Sequence, residues 1–110
     1  MAENLICEVS EYKGWTLFSL GGCLDKTNAG EAGDRLNELV QQSSKLAVEM
    51  SGLEYISSAG IRILLRAGRQ CKAEGKAYAI CGAAGFVKEV IEDANLDVLV
   101  AMYPSEESLP

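Results

Sequence analysis

Residues 46–65 constrain the fold of this chain more than any other stretch, because they join an apolar strand almost directly to an amphipathic helix. The apolar residues at 45–50 predict a buried strand, and we expect 51–52, a serine and a glycine, to end it. Beyond the loop, apolar or small residues recur with the spacing of one helix face, at Ile61, Leu64, Leu65 and Gly68. The sequence therefore predicts strand, short loop and helix in immediate succession, with the helix ending near residue 74, before Gly75.

Two serines, Ser57 and Ser58, stand where this helix is expected to begin. Either hydroxyl can cap the helix by accepting a hydrogen bond from an unpaired amide of the first turn. A hydroxyl at the positive end of a helix dipole, at the carboxyl end of a strand, is also well placed to hold a phosphate. The pattern alone leaves both roles open, and capping is the more common of the two.

The composition bounds the class of protein. A length of 110 residues with 48% apolar and 24% charged residues predicts one globular domain spanning residues 1–110. A net charge of −6 argues against nucleic acid as a partner. No apolar run approaches the roughly 20 residues of a membrane span, and the N-terminus lacks the pattern of a signal peptide. We therefore expect a cytoplasmic protein without membrane insertion.

The chain has four cysteines, at positions 7, 23, 71 and 81, and no histidine. The cysteines are scattered and form no C-x-x-C pair, so we interpret them as core or near-core thiols rather than metal ligands. Without histidine, a nucleophilic Ser58 lacks its usual activating base, and no G-x-S-x-G motif is present; lysine is the remaining candidate base. We expect no enzymatic activity, no catalytic residue, no metal and no cofactor.

Before this central stretch, the pattern predicts a hairpin followed by a helix. Strands at 5–9 and 15–20 are joined through a turn at Gly14, and we expect the glycines at 21–22 to end the second strand. Trp15 is interpreted as a packing residue. The helix is capped by Thr27 or Asn28 and buries one face, made of Ala32, Leu36, Leu39 and Val40.

After the central stretch, a strand at 76–81 and another amphipathic helix are predicted. The helix is expected to bury Phe86, Val87, Val90, Ile91 and Ala94, and to end at Asn95 in left-handed conformation. A fifth strand lies within 96–102, and 104–110 is either a frayed tail or the first turn of another helix. Because strands alternate with helices, the sequence predicts an α/β fold with parallel crossovers after the hairpin.

Four basic residues follow Ser58 at spacings of four, four, three and three: Arg62, Arg66, Arg69 and Lys72. This spacing places them on one stripe of the predicted helix. Such a stripe is usually a solvated face, and the alternative is a docking face for an acidic partner. Arg62 is close enough to the helix start to reach toward a phosphate.

The run Ile56-Ser57-Ser58-Ala59-Gly60-Ile61 resembles the signature loop of STAS domains, specifically the stand-alone bacterial anti-sigma factor antagonists. Their usual pattern is aspartate, serine, a second hydroxyl residue, glycine and a large aliphatic residue. Ser58 matches the serine that is phosphorylated in the family and Gly60 matches the glycine, whereas Ser57 replaces the aspartate. Residues 22–25 resemble a second family motif, whose aspartate, here Asp25, lies close to the phosphorylated serine.

The resemblance implies a single STAS-like domain with a mixed five-strand sheet and helices packed mainly on one face. It implies that the unphosphorylated domain binds an anti-sigma factor that is also a serine kinase, with ATP bound by that partner, so that a sigma factor is released. Phosphorylation of Ser58, or of Ser57 as second candidate, weakens the complex and a phosphatase resets it. The expected partner-binding residues are Asp25, Ser57, Ser58, Gly60 and Arg62.

A second interpretation keeps the fold and changes the partner. Stand-alone STAS-like domains also serve as subunits of lipid-trafficking ATP-driven transporters, and others form the tails of anion transporters. In that case the loop is never phosphorylated and the helix beginning near Ser58 packs on a transporter component.

Overall fold

The structure is a computed structural model and describes residues 4–110. Within this range the chain forms a five-stranded sheet, four α-helices and a short 3₁₀ helix at Glu106–Ser108. In chain order the elements are β1 (Leu5–Tyr12), β2 (Trp15–Leu24), α1 (Ala29–Gln42), β3 (Lys45–Ile56), α2 (Ser58–Ala73), β4 (Ala77–Cys81), α3 (Gly85–Asp93), α4 (Leu96–Leu99) and β5 (Ala101–Tyr103).

The strands follow one another across the sheet in the order β1-β2-β3-β4-β5. β1 and β2 form an antiparallel hairpin, closed by Lys13 and Gly14 at φ values of 53° and 84°, and every later pair is parallel. The predicted order of a hairpin followed by βαβ units is therefore confirmed, as is the mixed five-strand α/β sheet.

The main core lies between the sheet and the helices. Phe18, Val48 and Ile80 from the central strands cluster with buried residues of all four helices, such as Leu36 and Leu64. The predicted buried face of α1 is confirmed. Because one cluster joins the helices to the same sheet face, the helices pack on one side, as predicted.

A smaller cluster covers the opposite face of the sheet. Trp15, Ala47 and Cys81 pack there with Leu109, which is 2% exposed. The Trp15 indole donates to the main-chain oxygen of Pro110 at 2.9 Å. Of the two predictions for 104–110, the helical turn is right and the frayed tail is wrong, because this segment covers the apolar side chains of the second face.

β2 and β3 run further than predicted, and this difference positions the functional site. The glycines expected to end each strand instead pair with the neighbouring strand, with Gly21 opposite Gly52 and a register shift on either side. A Cβ at Gly52 would lie 3.4 Å from the Gly21 Cα, so the absence of side chains lets the backbones pass close together. The strands therefore continue to Leu24 and Ile56.

The structure of α3 and of the segment that follows it differs in part from the sequence-based prediction. Val87 and Ile91 are buried, but Phe86 and Ala94 are exposed, because they lie at the ends of α3. Asn95 adopts the predicted left-handed conformation, at φ 58°. Residues 96–102 contain α4 before β5 begins, so only part of that segment is strand.

In α2, the structure buries a different set from the one expected. Leu64 is buried, whereas Ile61, Leu65 and Gly68 are half-buried, and the remaining buried positions are Gly60, Ala67 and Cys71. The helix ends where predicted, with Gly75 following at φ 70°.

All four cysteines are unpaired: Cys71 and Cys81 are buried, and Cys7 and Cys23 are half-buried. This confirms that they are core or near-core thiols. Between residues 4 and 110, no cluster of cysteine and carboxylate side chains is arranged to hold a metal ion. In the same range no helix is both long enough and apolar enough to cross a membrane.

Candidate functional site

The carboxyl ends of β2 and β3 bring two turns side by side. Leu24 and Ile56 are the last paired residues of these parallel strands. Directly beyond them, the Ser57 amide donates to the Leu24 carbonyl at 2.9 Å. The turn that contains Asp25 is therefore bonded to the turn that begins α2.

The Asp25 carboxylate is held by its own turn. Its Oδ1 accepts hydrogen bonds from the Thr27 hydroxyl at 2.5 Å and from the Thr27 amide at 2.9 Å. The Thr27 hydroxyl, followed by the Thr27 amide, lowers the pKa of Asp25 below its ordinary value. The side chain is thus ionised at neutral pH and fixed beside the start of α2.

Asn28 precedes α1, but its side chain does not cap that helix. Its Oδ1 accepts from the Asp25 amide at 2.9 Å and its Nδ2 donates to the Cys23 carbonyl at 3.0 Å. Neither Thr27 nor Asn28 therefore makes the predicted side-chain cap, because both side chains bond within the turn that holds Asp25.

The two serines at the start of α2 have different surroundings. Ser57 is the N-cap: it is half-buried, and its hydroxyl accepts from the Gly60 amide at 3.4 Å. Ser58 is the first residue of the helix and is exposed. Among residues 4–110, the Ser58 hydroxyl has no hydrogen-bond partner. The capping role therefore belongs to Ser57, and Ser58 presents its hydroxyl to solvent.

Gly60 seats the first turn of α2 on the two strand ends. It is buried, and a Cβ at this position would lie 2.7 Å from Ile56 Cγ1 and 2.9 Å from Leu24 Cγ. Any larger residue would push the helix away from these side chains. The structure thus gives Gly60 a packing role beneath the surface, and its effect on a partner, through the position of Ser58, stays a prediction.

A shallow concavity at this edge of the sheet brings together Asp25, Ser57 and Ser58. Its remaining lining residues are Lys26, Thr27, Tyr55 and Ala59. Arg62 does not line it; this exposed side chain borders a second concavity further along α2, together with Leu65, Arg66, Arg69 and Gln70. Three of the five predicted site residues therefore share one surface, Gly60 supports it and Arg62 lies outside it.

Two aromatic residues at the site were not recognised from the sequence. Tyr55 lines the concavity and stacks on Phe86, with ring centroids 5.7 Å apart and planes 8° from parallel. They remain 43% and 51% exposed. Tyr55 is the residue before the end of β3, and Phe86 lies in the first turn of α3, after β4, so both fall at the carboxyl edge of the sheet. That shared position was a signal available in the sequence.

The Ser58 hydroxyl and the two aromatic rings are the exposed groups that this arrangement offers to another molecule. Among residues 4–110 no base is hydrogen-bonded to the Ser58 hydroxyl, and the chain has no histidine. An unactivated hydroxyl is a weak nucleophile, but an enzyme that brings its own base can modify it. Exposed aromatic rings beside it offer apolar contact area to another protein.

Known proteins share this architecture. The anti-sigma factor antagonist from Mycobacterium paratuberculosis matches with a TM-score of 0.86 at 19% identity, over 94% of this chain and 88% of that one. An anti-sigma factor antagonist (STAS) domain protein from Planctomyces limnophilus matches with a TM-score of 0.77 at 17% identity, over 92% of each chain. The Bacillus cell fate determinant SpoIIAA, in its phosphorylated form, matches with a TM-score of 0.68 at 15% identity, over 93% of this chain and 94% of that one.

At these identities the solved structures establish the fold. No relative of the chain was found among curated proteins. The model of the STAS domain family matches residues 7–109, which include both strand ends, both turns and the first turn of α2. Because that match covers nearly the whole sequence, this chain belongs to the STAS domain family.

Proposed function

We propose that this chain is an anti-sigma factor antagonist that is switched off by phosphorylation of Ser58. Its unmodified form binds an anti-sigma factor that is also a serine kinase, and the sigma factor is thereby released. The proposed domain, residues 1–110, acts in the cytoplasm as a binding protein and as the substrate of the kinase, and a phosphatase resets it. The observation that carries the proposal is the exposed hydroxyl of Ser58, at the first position of α2 and in one concavity with Asp25.

Accessibility favours Ser58 over Ser57 as the phosphorylated residue. A kinase has to place the acceptor hydroxyl against ATP, which requires a side chain that can enter another active site. Ser58 is exposed, whereas Ser57 is half-buried and its hydroxyl already accepts from Gly60. Phosphorylation of Ser57 would also remove the N-cap of α2 in its present geometry.

The fold can tolerate a phosphate at Ser58. A phosphoserine adds about −1.5 to −2 charges at pH 7 and three acceptor oxygens. At the first position of a helix these oxygens lie near unpaired amides and the positive end of the helix dipole. The modification therefore acts on the surface that a partner would contact, and the core beneath it is left in place.

The replacement of the family aspartate by Ser57 changes the charge of this surface. Among the residues that line the concavity, Asp25 carries one negative charge and Lys26 one positive charge, so they sum to zero. A phosphate at Ser58 takes this sum to about −1.5 to −2. Burying such a charge against a partner costs several kcal/mol unless it is paired, and each 1.4 kcal/mol lowers affinity about tenfold.

The first experiment compares affinity capture by the parent chain and by Ser58→Asp, with mass spectrometry of the bound proteins. We expect the parent to retain an ATP-binding protein related to kinases, and Ser58→Asp to retain at least tenfold less of it. Ser57→Asp is not a matched control, because it restores the family residue at the cap. Ser44→Asp is the control, because Ser44 is exposed and directly precedes β3, at the opposite end of that strand from Ser57. Equal capture by parent and Ser58→Asp would contradict the switch.

The second experiment identifies the phosphorylated residue. The captured protein is incubated with ATP and the parent, Ser57→Ala or Ser58→Ala, and the incorporated phosphate is mapped by mass spectrometry. We expect labelling of the parent and of Ser57→Ala, and none of Ser58→Ala. If Ser58→Ala is labelled as well as the parent, Ser58 is not the acceptor. If the captured partner is instead a transporter ATPase, the chain is an interaction subunit of that transporter.

A further inference from the structure

The outer face of α2 carries a basic stripe, formed by Arg62, Arg66, Arg69 and Lys72, all of which are exposed. The one ion pair within residues 4–110 joins Lys76 to Glu74, so no residue of the basic stripe is neutralised by an ion pair in that range. Leu65 is half-buried among the arginines, and together they line a concavity. Leu65 therefore offers apolar surface between the arginines of the basic stripe.

The short helix α4 has the opposite character. Leu96 and Val100 are buried and anchor it, whereas Val98 and Leu99 are 78% and 61% exposed. Asp97, beside them, is also exposed. We call Asp97, Val98 and Leu99 the acidic knob. The segment 85–99 holds four carboxylates and one lysine, so its net charge is 1 − 4 = −3.

The basic stripe and the acidic knob lie on neighbouring helices. α2 has no side chain at Gly68, where a Cβ would lie 3.4 Å from Val100 Cγ2 at the end of α4. Because the two helices pack against each other there, their outer sides belong to one continuous surface. A two-fold axis across such a surface can place the basic stripe of each copy on the acidic knob of the other, in two equivalent contacts that close a dimer.

We propose that this surface binds a second copy of the chain. In the dimer, Val98 and Leu99 of one copy cover Leu65 of the other, and Asp97 meets Arg66 and Arg69. Apolar contact at the centre with charged residues around it is the usual anatomy of an interface. Arginine suits such a position, because its stem covers apolar surface while its guanidinium binds a carboxylate through two hydrogen bonds.

The proposed dimer is separate from the switch at Ser58. Leu65 lies seven residues further along α2, which is about 10 Å along the helix axis. The concavity that holds Asp25, Tyr55 and Ser58 does not include the arginines of the basic stripe. The failure of one proposal would therefore leave the other standing.

The test is sedimentation equilibrium of the purified full chain, from about 10 μM to about 1 mM and at low salt, where exposed charges are least screened. We expect a monomer–dimer equilibrium whose dissociation constant rises at least tenfold at about 0.5 M NaCl. Arg69→Glu and Asp97→Lys are each expected to raise it at least tenfold, since each variant places like charges together at both contacts.

An equimolar mixture of Arg69→Glu and Asp97→Lys gives the sharpest result. In a mixed dimer one contact is the native pair and the other is its reversed pair, so both are attractive. We expect the mixture to dimerise at concentrations where each variant alone is monomeric. Matched charge reversals on the opposite sheet face, Lys45→Glu and Glu8→Lys, should leave dimerisation unchanged.

Three outcomes would overturn the proposal: a monomer throughout the concentration range, a dimer that neither reversal weakens, or a mixture that stays monomeric. Because both substituted side chains are exposed, each variant is expected to keep its fold. Unfolding in urea checks this point for every variant before its association is measured.

Discussion

Gly60→Ala tests whether close packing at the strand ends holds the start of α2 in place. The added methyl group would lie 2.7 Å from Ile56 Cγ1 and 2.9 Å from Leu24 Cγ. Carbon atoms in good contact are about 3.5–4.0 Å apart, so one of the three groups has to move. Leu24 and Ile56 are 0% and 2% exposed, and neither has free volume toward solvent.

Two effects of the substitution oppose each other. Alanine is a better helix former than glycine by about 1 kcal/mol, which favours the variant. Overpacking a dense core costs about 1–3 kcal/mol, which disfavours it. The contacts of Gly60 involve two buried side chains at once, so we expect the upper part of that range and a net loss of about 1–2 kcal/mol in the free energy of unfolding.

The measurement is urea unfolding followed by circular dichroism. With an m-value of about 2 kcal/mol/M, the expected loss lowers the midpoint by about 0.5–1 M. Gly30→Ala is the matched control, because Gly30 lies in α1 and a Cβ there meets nothing within 4 Å. Its midpoint should stay the same or rise. A midpoint for Gly60→Ala at or above that of the parent, with unchanged m, would refute the packing argument.

Three further predictions concern individual side chains. Ser57→Ala should lower the free energy of unfolding by about 0.5–1 kcal/mol, at the low end of the range for N-cap substitutions because the hydrogen bond is long. Ser58→Ala, at an exposed position, should change it by less than about 0.5 kcal/mol. Equal losses for the two variants in urea unfolding would contradict this assignment of the cap. Burial raises the pKa of the Cys81 thiol to about 12, so iodoacetamide near neutral pH should label it only after unfolding. Mass spectrometry maps the label, and labelling of Cys81 in the native chain would contradict this prediction. Thr27→Val should move the pKa of Asp25 up toward its ordinary value in an NMR titration. Because the pKa of Asp25 is lower in the folded chain, its ionised carboxylate stabilises the fold above its ordinary pKa, and this stabilisation is lost as the pH falls through the folded pKa. The free energy of unfolding of Thr27→Val should therefore fall less on acidification than that of the parent. An unshifted pKa in the variant would exclude the hydroxyl bond as the cause.

Local patterns were sufficient for the elements that carry their own signals. The strand at 5–9, the turn at Gly14 and the apolar spacing of α1 depend on neighbouring residues, and the structure confirms each of them. The start of α2 at the two serines is predictable for the same reason, since capping depends on residue type and position. The sequence alone does not decide which serine caps the helix, because the choice depends on where β3 ends.

The missed features depend on contacts between distant segments. Gly21 and Gly52 look like strand ends in sequence, and only their pairing across β2 and β3 allows both strands to continue. Phe86 fits the apolar spacing of α3, but its position at the open end of the helix leaves it exposed against Tyr55. The burial of Leu109 likewise requires the uncovered sheet face around Trp15.

The rigidity of the strand ends decides how a phosphate at Ser58 would act. Ser57 is bonded to Leu24 through its amide and to Gly60 through its hydroxyl, so the first turn of α2 is held from both sides. A phosphate on a turn held in this way would rearrange little of the domain itself. Its effect would therefore fall on the affinity of the partner that contacts this surface. A partner that covers Ser58 also covers Tyr55, since both line the same concavity. Phosphorylation would leave the contact of the partner with Tyr55 unchanged. The complex would separate only if the cost of burying the unpaired phosphate exceeds the free energy of that aromatic contact. Because the charges lining the unmodified concavity sum to zero, the phosphate makes a large relative change in its charge.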